Sequence, residues 1–158
     1  FSIASGEKRL LPIYSVETEE PKIAISFDAA WGADDTDTLL EILEDNDVKT
    51  TFFMCGYWID KYPDEVKKIS EAGHDLGNHS ATHPHMSKLT KEQIADEIKD
   101  TGNKIEELTG VKSELFRAPF GEYTNDVIST AEELGYYTIQ WDVEGLDTKL
   151  KTTFSNQL

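Results

Sequence analysis

With a single cysteine, Cys55, the chain forms no internal disulfide. Cys55 follows the apolar run TFFM and reads as a small core residue. No apolar stretch is long enough to span a bilayer as a helix. Positive charge is scarce: 15 Lys and Arg face 31 Asp and Glu, for a net charge of −16. Such a surface repels nucleic acid and anionic lipid, whereas a neutral or cationic substrate stays compatible. Apolar residues make up only 38% of the chain, yet they fall in clear runs. The 158 residues suffice for one domain with a real core. Neither an internal repeat nor a low-complexity segment is visible, and no signal-peptide pattern stands out. The first residue is Phe1 rather than Met, which predicts a trimmed upstream segment.

What is present alternates. Residues 1–21 are polar and weakly periodic and read as an N-terminal arm; residues 151–158 read as a polar tail. Between them, KIAISFD (22–28), KTTFFMC (49–55), HDLGNHS (74–80), SELFRAP (113–119) and YYTIQWDV (136–143) predict five strands. Helices are predicted between them. DDTDTLLEILEDN places Leu39, Leu40 and Leu43 on one face, with acids at its start. YPDEVKKISEAG has Pro63 near its first turn and Gly73 after its last. The longest, residues 90–110, opens on a Thr90–Gln93 capping box and stops at Gly110. Its apolar stripe is Ile94, Ile98, Ile105 and Leu108. TNDVISTAEELG ends at Gly135. Strand and helix in alternation predict an α/β fold on a parallel sheet, either a β/α barrel or an open doubly wound sheet.

Polar residues close the predicted strands. Asp28, the pair Asn78–His79, Arg117 and the pair Trp141–Asp142 all sit at C-terminal strand ends, where both architectures build their sites. Three of the four histidines fall within GNHSATHPH, with His79 and His83 four apart. That spacing suits two ligands of one ion, or a polar loop bonded to water. Ser80 stands where a His-Glu-x-x-His peptidase has its glutamate, so that class is excluded. His74 and His85 read as structural or solvent-facing. A carboxylate closing an apolar strand, as Asp28 does, is a turn residue, a general base or a metal ligand. Arg117, in FRAPF, needs an acid partner, and Asp28 and Asp147 are the candidates. An arginine so placed holds its aspartate ionised.

SFDAAWG, HSATH, RAPFG and VEGLD occur in the order and spacing of the NodB-homology polysaccharide deacetylases, carbohydrate esterase family four, which the chain resembles from residue 22 to 150. SFD-x-x-WG and KTTFF look like the spore and cell-wall branch from Gram-positive bacteria. The resemblance implies a distorted (β/α) barrel and a metal-dependent hydrolase that removes N-acetyl groups from an envelope or chitin-like polysaccharide. It implies Asp28 as general base, and His79 and His83 as ligands of a divalent metal, usually zinc. Ser80 would brace the metal loop. Arg117 would orient the base, with Asp147 paired to it, and the backbone N–H of Phe120 would hold the oxyanion. Trp31 and Trp141, beside these motifs, are the candidate substrate-binding aromatics. The family's habit implies an extracytoplasmic protein, secreted or in the cell envelope.

Three departures accompany the likeness. Ala29 stands where the family has the aspartate that is its third metal ligand, with Asp34 or Asp35 as possible substitutes. Glu144 stands where an aspartate is common, and Thr148 where a tryptophan walls the groove. The last motif, an apolar strand with the general-acid histidine, has no counterpart after Asp147. These departures predict an incomplete barrel whose edges need cover, from a homo-oligomer partner, a swapped segment or a shortened closure. They also sustain a second reading, a catalytically weakened relative that binds glycan or metal. A purely structural envelope domain predicts neither affinity and gives no reason for Asp28, His79, His83 and Arg117 to share strand ends.

Overall fold

The structure is a computed structural model and describes residues 8–143. Ten elements follow in order: β1 (Ser26–Ala29), α1 (Thr36–Asp45), β2 (Thr51–Met54), α2 (Gly56–Lys61), α3 (Pro63–Glu71), β3 (Asp75–Asn78), α4 (Lys91–Thr109), β4 (Leu115–Phe116), α5 (Asn125–Glu133) and β5 (Tyr137–Thr138). All neighbouring strands are parallel, and their order in the sheet is their order in the chain. A doubly wound sheet reverses its strand order, whereas a β/α barrel does not. The sheet is therefore of barrel type, and it is not closed among the described residues.

Local chemistry explains the helices. Thr90 Oγ1 accepts from Gln93 N–H while the Gln93 side chain accepts from Thr90 N–H, closing the expected capping box. Gly110 ends α4 at φ 71°, a left-handed conformation that costs other residues energy. The helix bridges two apolar clusters. Ile105 packs with Phe52, Met54, Trp58, Val66 and Ile69; Ile94 and Ile98 pack with Met86, Phe116, Val127 and Ala131. Each such side chain contributes about 1.5–3 kcal/mol on burial.

Strand alternation sets aside the other sheet face for chemistry. Phe52 and Met54 point into the helical layer, so Phe53 points inward, register-paired with Asp28 on one side and Gly77 on the other. A β-carbon on Gly77 would fall inside contact distance of the Phe53 ring. Glycine is what lets that ring lie flat against the sheet.

Several boundaries differ from expectation. Residues 22–25 are apolar but outside any strand, and Ile23 is 87% exposed because nothing covers it. Residues 56–61 form a separate helix, α2, which Pro63 at the start of α3 divides from the next one. The last two strands have two residues each. Part of the expected arm is docked: Ile13 N–H donates to Thr138 O and Ile13 O accepts from Gln140 N–H, so Ile13 bridges in parallel to Ile139. Asn125 Oδ1 accepts from Leu10 N–H, and its amide donates to Lys8 O. The edge at β5 is thus covered by the chain's own residues. No helix among the described residues is long and apolar enough to cross a membrane.

Candidate active site

Ser26 and Asp28, two apart on β1, face the same side of the sheet. Arg117 follows β4 and reaches both: one guanidinium nitrogen donates to Asp28 Oδ1 at 2.7 Å, another to Ser26 Oγ at 2.8 Å. The guanidinium lies 4.0 Å over the centroid of the Phe53 ring and 5.5 Å from that of Trp141. Arg117 is buried, and its charge is therefore neutralised by the carboxylate it grips.

The histidine loop is built by unusual backbone. Asn78, Ser80 and His79 are buried. Asn78 Oδ1 accepts from Ser80 N–H at 3.0 Å, and Asn78 Nδ2 donates to the Ile98 carbonyl on α4 at 2.7 Å. Ser80 and His83 have φ 68° and 56°, in the left-handed region that costs non-glycine residues energy. Ser80 Oγ accepts from His83 N–H at 3.1 Å. Glu97 clamps Thr82 through its N–H and its hydroxyl. These contacts bring the His83 ring edge-on to His79, 5.0 Å between centroids.

His79 Nδ1 lies 2.7 Å from the Arg117 carbonyl, which can only accept, so Nδ1 carries the proton. Burial pushes the His79 pKa down, against the pull of Asp28. Burial also lowers that of His83. Both imidazoles are then neutral at pH 7, and His79 Nε2 presents a bare lone pair. It faces Asp28 Oδ2 at 3.8 Å. Two acceptors so opposed favour a cation between them. The donor set thus fits a divalent ion in part: two neutral imidazoles beside a carboxylate oxygen. Among the described residues, no group of three His, Cys, Asp or Glu is placed to enclose an ion. Zinc in catalytic sites takes three protein ligands.

Phe120 sits in the turn after β4 at φ 59°, with its ring against His83 (4.6 Å) and stacked on His85 (4.4 Å). His85 also bonds Glu122 through Nδ1 at 3.0 Å. The Trp31 ring is exposed, 6.5 Å from that of His83. Asp28, His79, Ser80, His83, Arg117, Phe120, Trp31 and Trp141 therefore gather at one end of the sheet. Asp147 lies outside the described residues, as do Glu144 and Thr148. His74 is buried against Phe52 with Nδ1 accepting from Thr50 N–H, a structural place. The sequence reading overlooked Ser26, whose only signal is its two-residue spacing from Asp28. It also overlooked the aromatic wall of α2, written in the i, i+4 pair Trp58 and Tyr62.

Comparison with known proteins gives this geometry its context. The family described as Polysaccharide deacetylase matches residues 15–139. An uncharacterized protein, YlxY, of Bacillus subtilis is 38% identical over 136 residues, covering 86% of this chain and 43% of its own. The peptidoglycan-N-acetylmuramic acid deacetylase PdaA of Bacillus subtilis is 33% identical over 138 residues, covering 87% and 52%. Among solved structures, a wild-type CE4 family pseudoenzyme from Bacillus anthracis superposes with TM-score 0.86 at 34% identity, covering 89% of this chain and 50% of its own. The chain spans about half the length of the curated relatives it matches. On the matched residues and the shared fold, the chain belongs to the polysaccharide deacetylase family, carbohydrate esterase family four.

Proposed function

We propose that this domain carries the reaction centre of an extracytoplasmic hydrolase that removes N-acetyl groups from a cell-envelope glycan. The observation that carries the reading is the division of labour at Asp28. Arg117 holds Oδ1 at 2.7 Å, while Oδ2 is turned to His79 Nε2 and the open end of the sheet. A carboxylate fixed by one oxygen offers the other as a base of set direction. Relatives with the same domain include deacetylases of peptidoglycan N-acetylglucosamine and N-acetylmuramic acid.

The residues act in sequence. Asp28 Oδ2 takes a proton from water as that water attacks the acetamide carbonyl. The Arg117 charge compensates Asp28 before and after this transfer. The Phe120 N–H, in a turn fixed by its neighbours, donates to the oxyanion that develops. Trp31 and Trp141 flank the sugar and exclude solvent. A divalent ion held by His79 and His83 supplies Lewis-acid polarisation to the same atoms. Departure of the sugar amine with a proton yields acetate and the free amine.

A second reading has its own observation. Ala29 lies at the third-ligand position, and no three-donor group exists among the described residues. A relative of the same fold is a pseudoenzyme. Here the domain binds glycan or metal with little turnover. One experiment separates the two: metal content and acetate release with zinc or cobalt, on N-acetylglucosamine oligomers and peptidoglycan, for wild type, His79→Ala and Asp28→Asn. Metal binding with acetate release that both variants lose supports the hydrolase. Metal lost in His79→Ala, without acetate from any substrate, supports the weakened relative. Absence of both metal and saccharide binding refutes each.

A further inference from the structure

Beside the candidate centre lies a cleft of about 640 Å³, whose lining includes Trp31, Tyr57, Trp58, Lys61, Tyr62 and His83. That volume falls in the roughly 300–1,000 Å³ range of small-ligand sites. His83 is common to the cleft and the centre, so an occupant of one adjoins the other. The walls are fixed. Tyr57 Oη donates to Ala30 O at 2.8 Å and Trp58 Nε1 to Gly32 O at 3.1 Å, pinning on both sides the backbone that presents Trp31. Trp31 is 78% exposed on that pinned loop, a flat apolar face held ready for a ring.

The cleft has one cationic wall residue among the described residues, Lys61, whose ammonium stands 5.0 Å from the Tyr62 ring centroid. Its pKa is raised, chiefly by the Tyr62 side chain, so it is charged at neutral pH. In this acid-rich chain Lys68 and Lys104 each hold two carboxylates. Among the described residues none pairs with Lys61, and Asp34 acts on it only at a distance. A lone ammonium at the end of an aromatic trough selects an anionic group on an otherwise apolar-faced ligand.

We infer that this cleft is a subsite for a carboxylate-bearing N-acetylated sugar, its ring on Trp31 and its carboxylate on Lys61. The inference rests on the glycan reading above and gives it a preference: acidic sugar next to the reacting one, rather than an all-neutral chitin-like chain.

Binding, rather than turnover, tests it. The N-acetylglucosaminyl-N-acetylmuramic acid disaccharide, its methyl ester, di-N-acetylchitobiose and a sugar-free stem peptide are titrated by NMR into wild type, Lys61→Met and Trp31→Ala. Lys61 is exposed, so the charge is worth about threefold to fivefold in Kd. The acid should bind wild type that much more tightly than its ester, and Lys61→Met should erase the difference without changing chitobiose affinity. Trp31→Ala should weaken every saccharide. Equal binding of acid and ester, or a preference that survives Lys61→Met, overturns the subsite and leaves the proposed function standing. A stem peptide whose affinity depends on Lys61 assigns the cation to peptide and also overturns it. Failure of every saccharide to bind wild type overturns the subsite and the glycan reading together.

Discussion

Gly77→Ala tests whether the sheet interior is built around one ring. A methyl at position 77 would lie 2.7 Å from Phe53 Cε1 and 2.9 Å from Cγ, with Cδ1 closer still. The ring cannot retreat freely: Phe53 is 1% exposed and the Arg117 guanidinium lies 4.0 Å over its face. Overpacking of this kind costs about 1–3 kcal/mol. Displacing the guanidinium also forfeits about 0.5–2 kcal/mol of cation–π attraction. Against these, alanine in a strand gains about 0.5–1 kcal/mol over glycine by restricting the unfolded chain. The net loss is about 2–3 kcal/mol, or about 5–10 °C in Tm for a domain of this size. Urea unfolding followed by near-UV circular dichroism measures it, and Phe53→Leu in the Gly77→Ala background should recover part of the loss. If position 77 were open, the sign would reverse. An unchanged or raised midpoint in Gly77→Ala would falsify the packing argument.

Three further outcomes are expected. Arg117→Lys loses the fork that spans Asp28 and Ser26. Since the Asp28 side chain is 37% exposed, the loss is about 1–2 kcal/mol in urea unfolding, below that of a fully buried pair. The pKa of His74 is lowered by burial and by Lys49, so below its unfolded value of 6.5 the unfolded chain binds the proton first. Stability should therefore fall as pH drops from 6.5 toward the lower folded value, and His74→Gln should flatten that slope in unfolding curves taken across the window. Ala29→Asp adds a carboxylate at the position the family uses for its third ligand, and should tighten zinc at least about tenfold by competition with a chromophoric chelator. Unchanged affinity would place the third donor elsewhere.

The features legible in the sequence were those whose cause is local. Gly73, Gly110 and Gly135 stop helices through a positive φ that three-residue neighbourhoods reveal. The capping box needs only Thr90 and Gln93. Asp28, His79 and Arg117 could be placed together because each closes a strand, and parallel strands bring such ends to one edge. Features set by distant partners were not legible. The run at 22–25 has strand composition, but its exposure depends on what fails to cover it. Helix α2 has six residues, too few for a periodic signal, and its Tyr57 and Trp58 gain meaning only against Ala30 and Gly32. The resemblance supplied the roles of Ser80 and Phe120; the left-handed backbone at both was invisible in the letters.

The docked arm bears on how the chain reaches this fold. Strands pair in the order of synthesis, and the first step, Ser26 to Thr51, closes a short loop. The arm is different: Leu10 meets Asn125, 115 residues away. Closing that loop costs about 1.3 kcal/mol more than closing one of roughly 25 residues. Its return is a few backbone hydrogen bonds at an edge. The sheet can therefore assemble unit by unit from local pairings, as low contact order favours, with the arm joining after β5 exists. In native-state hydrogen exchange the Ile13 and Gln140 amides should open at lower free energy than those of β2, making the arm a latch that seals the edge last and releases it first.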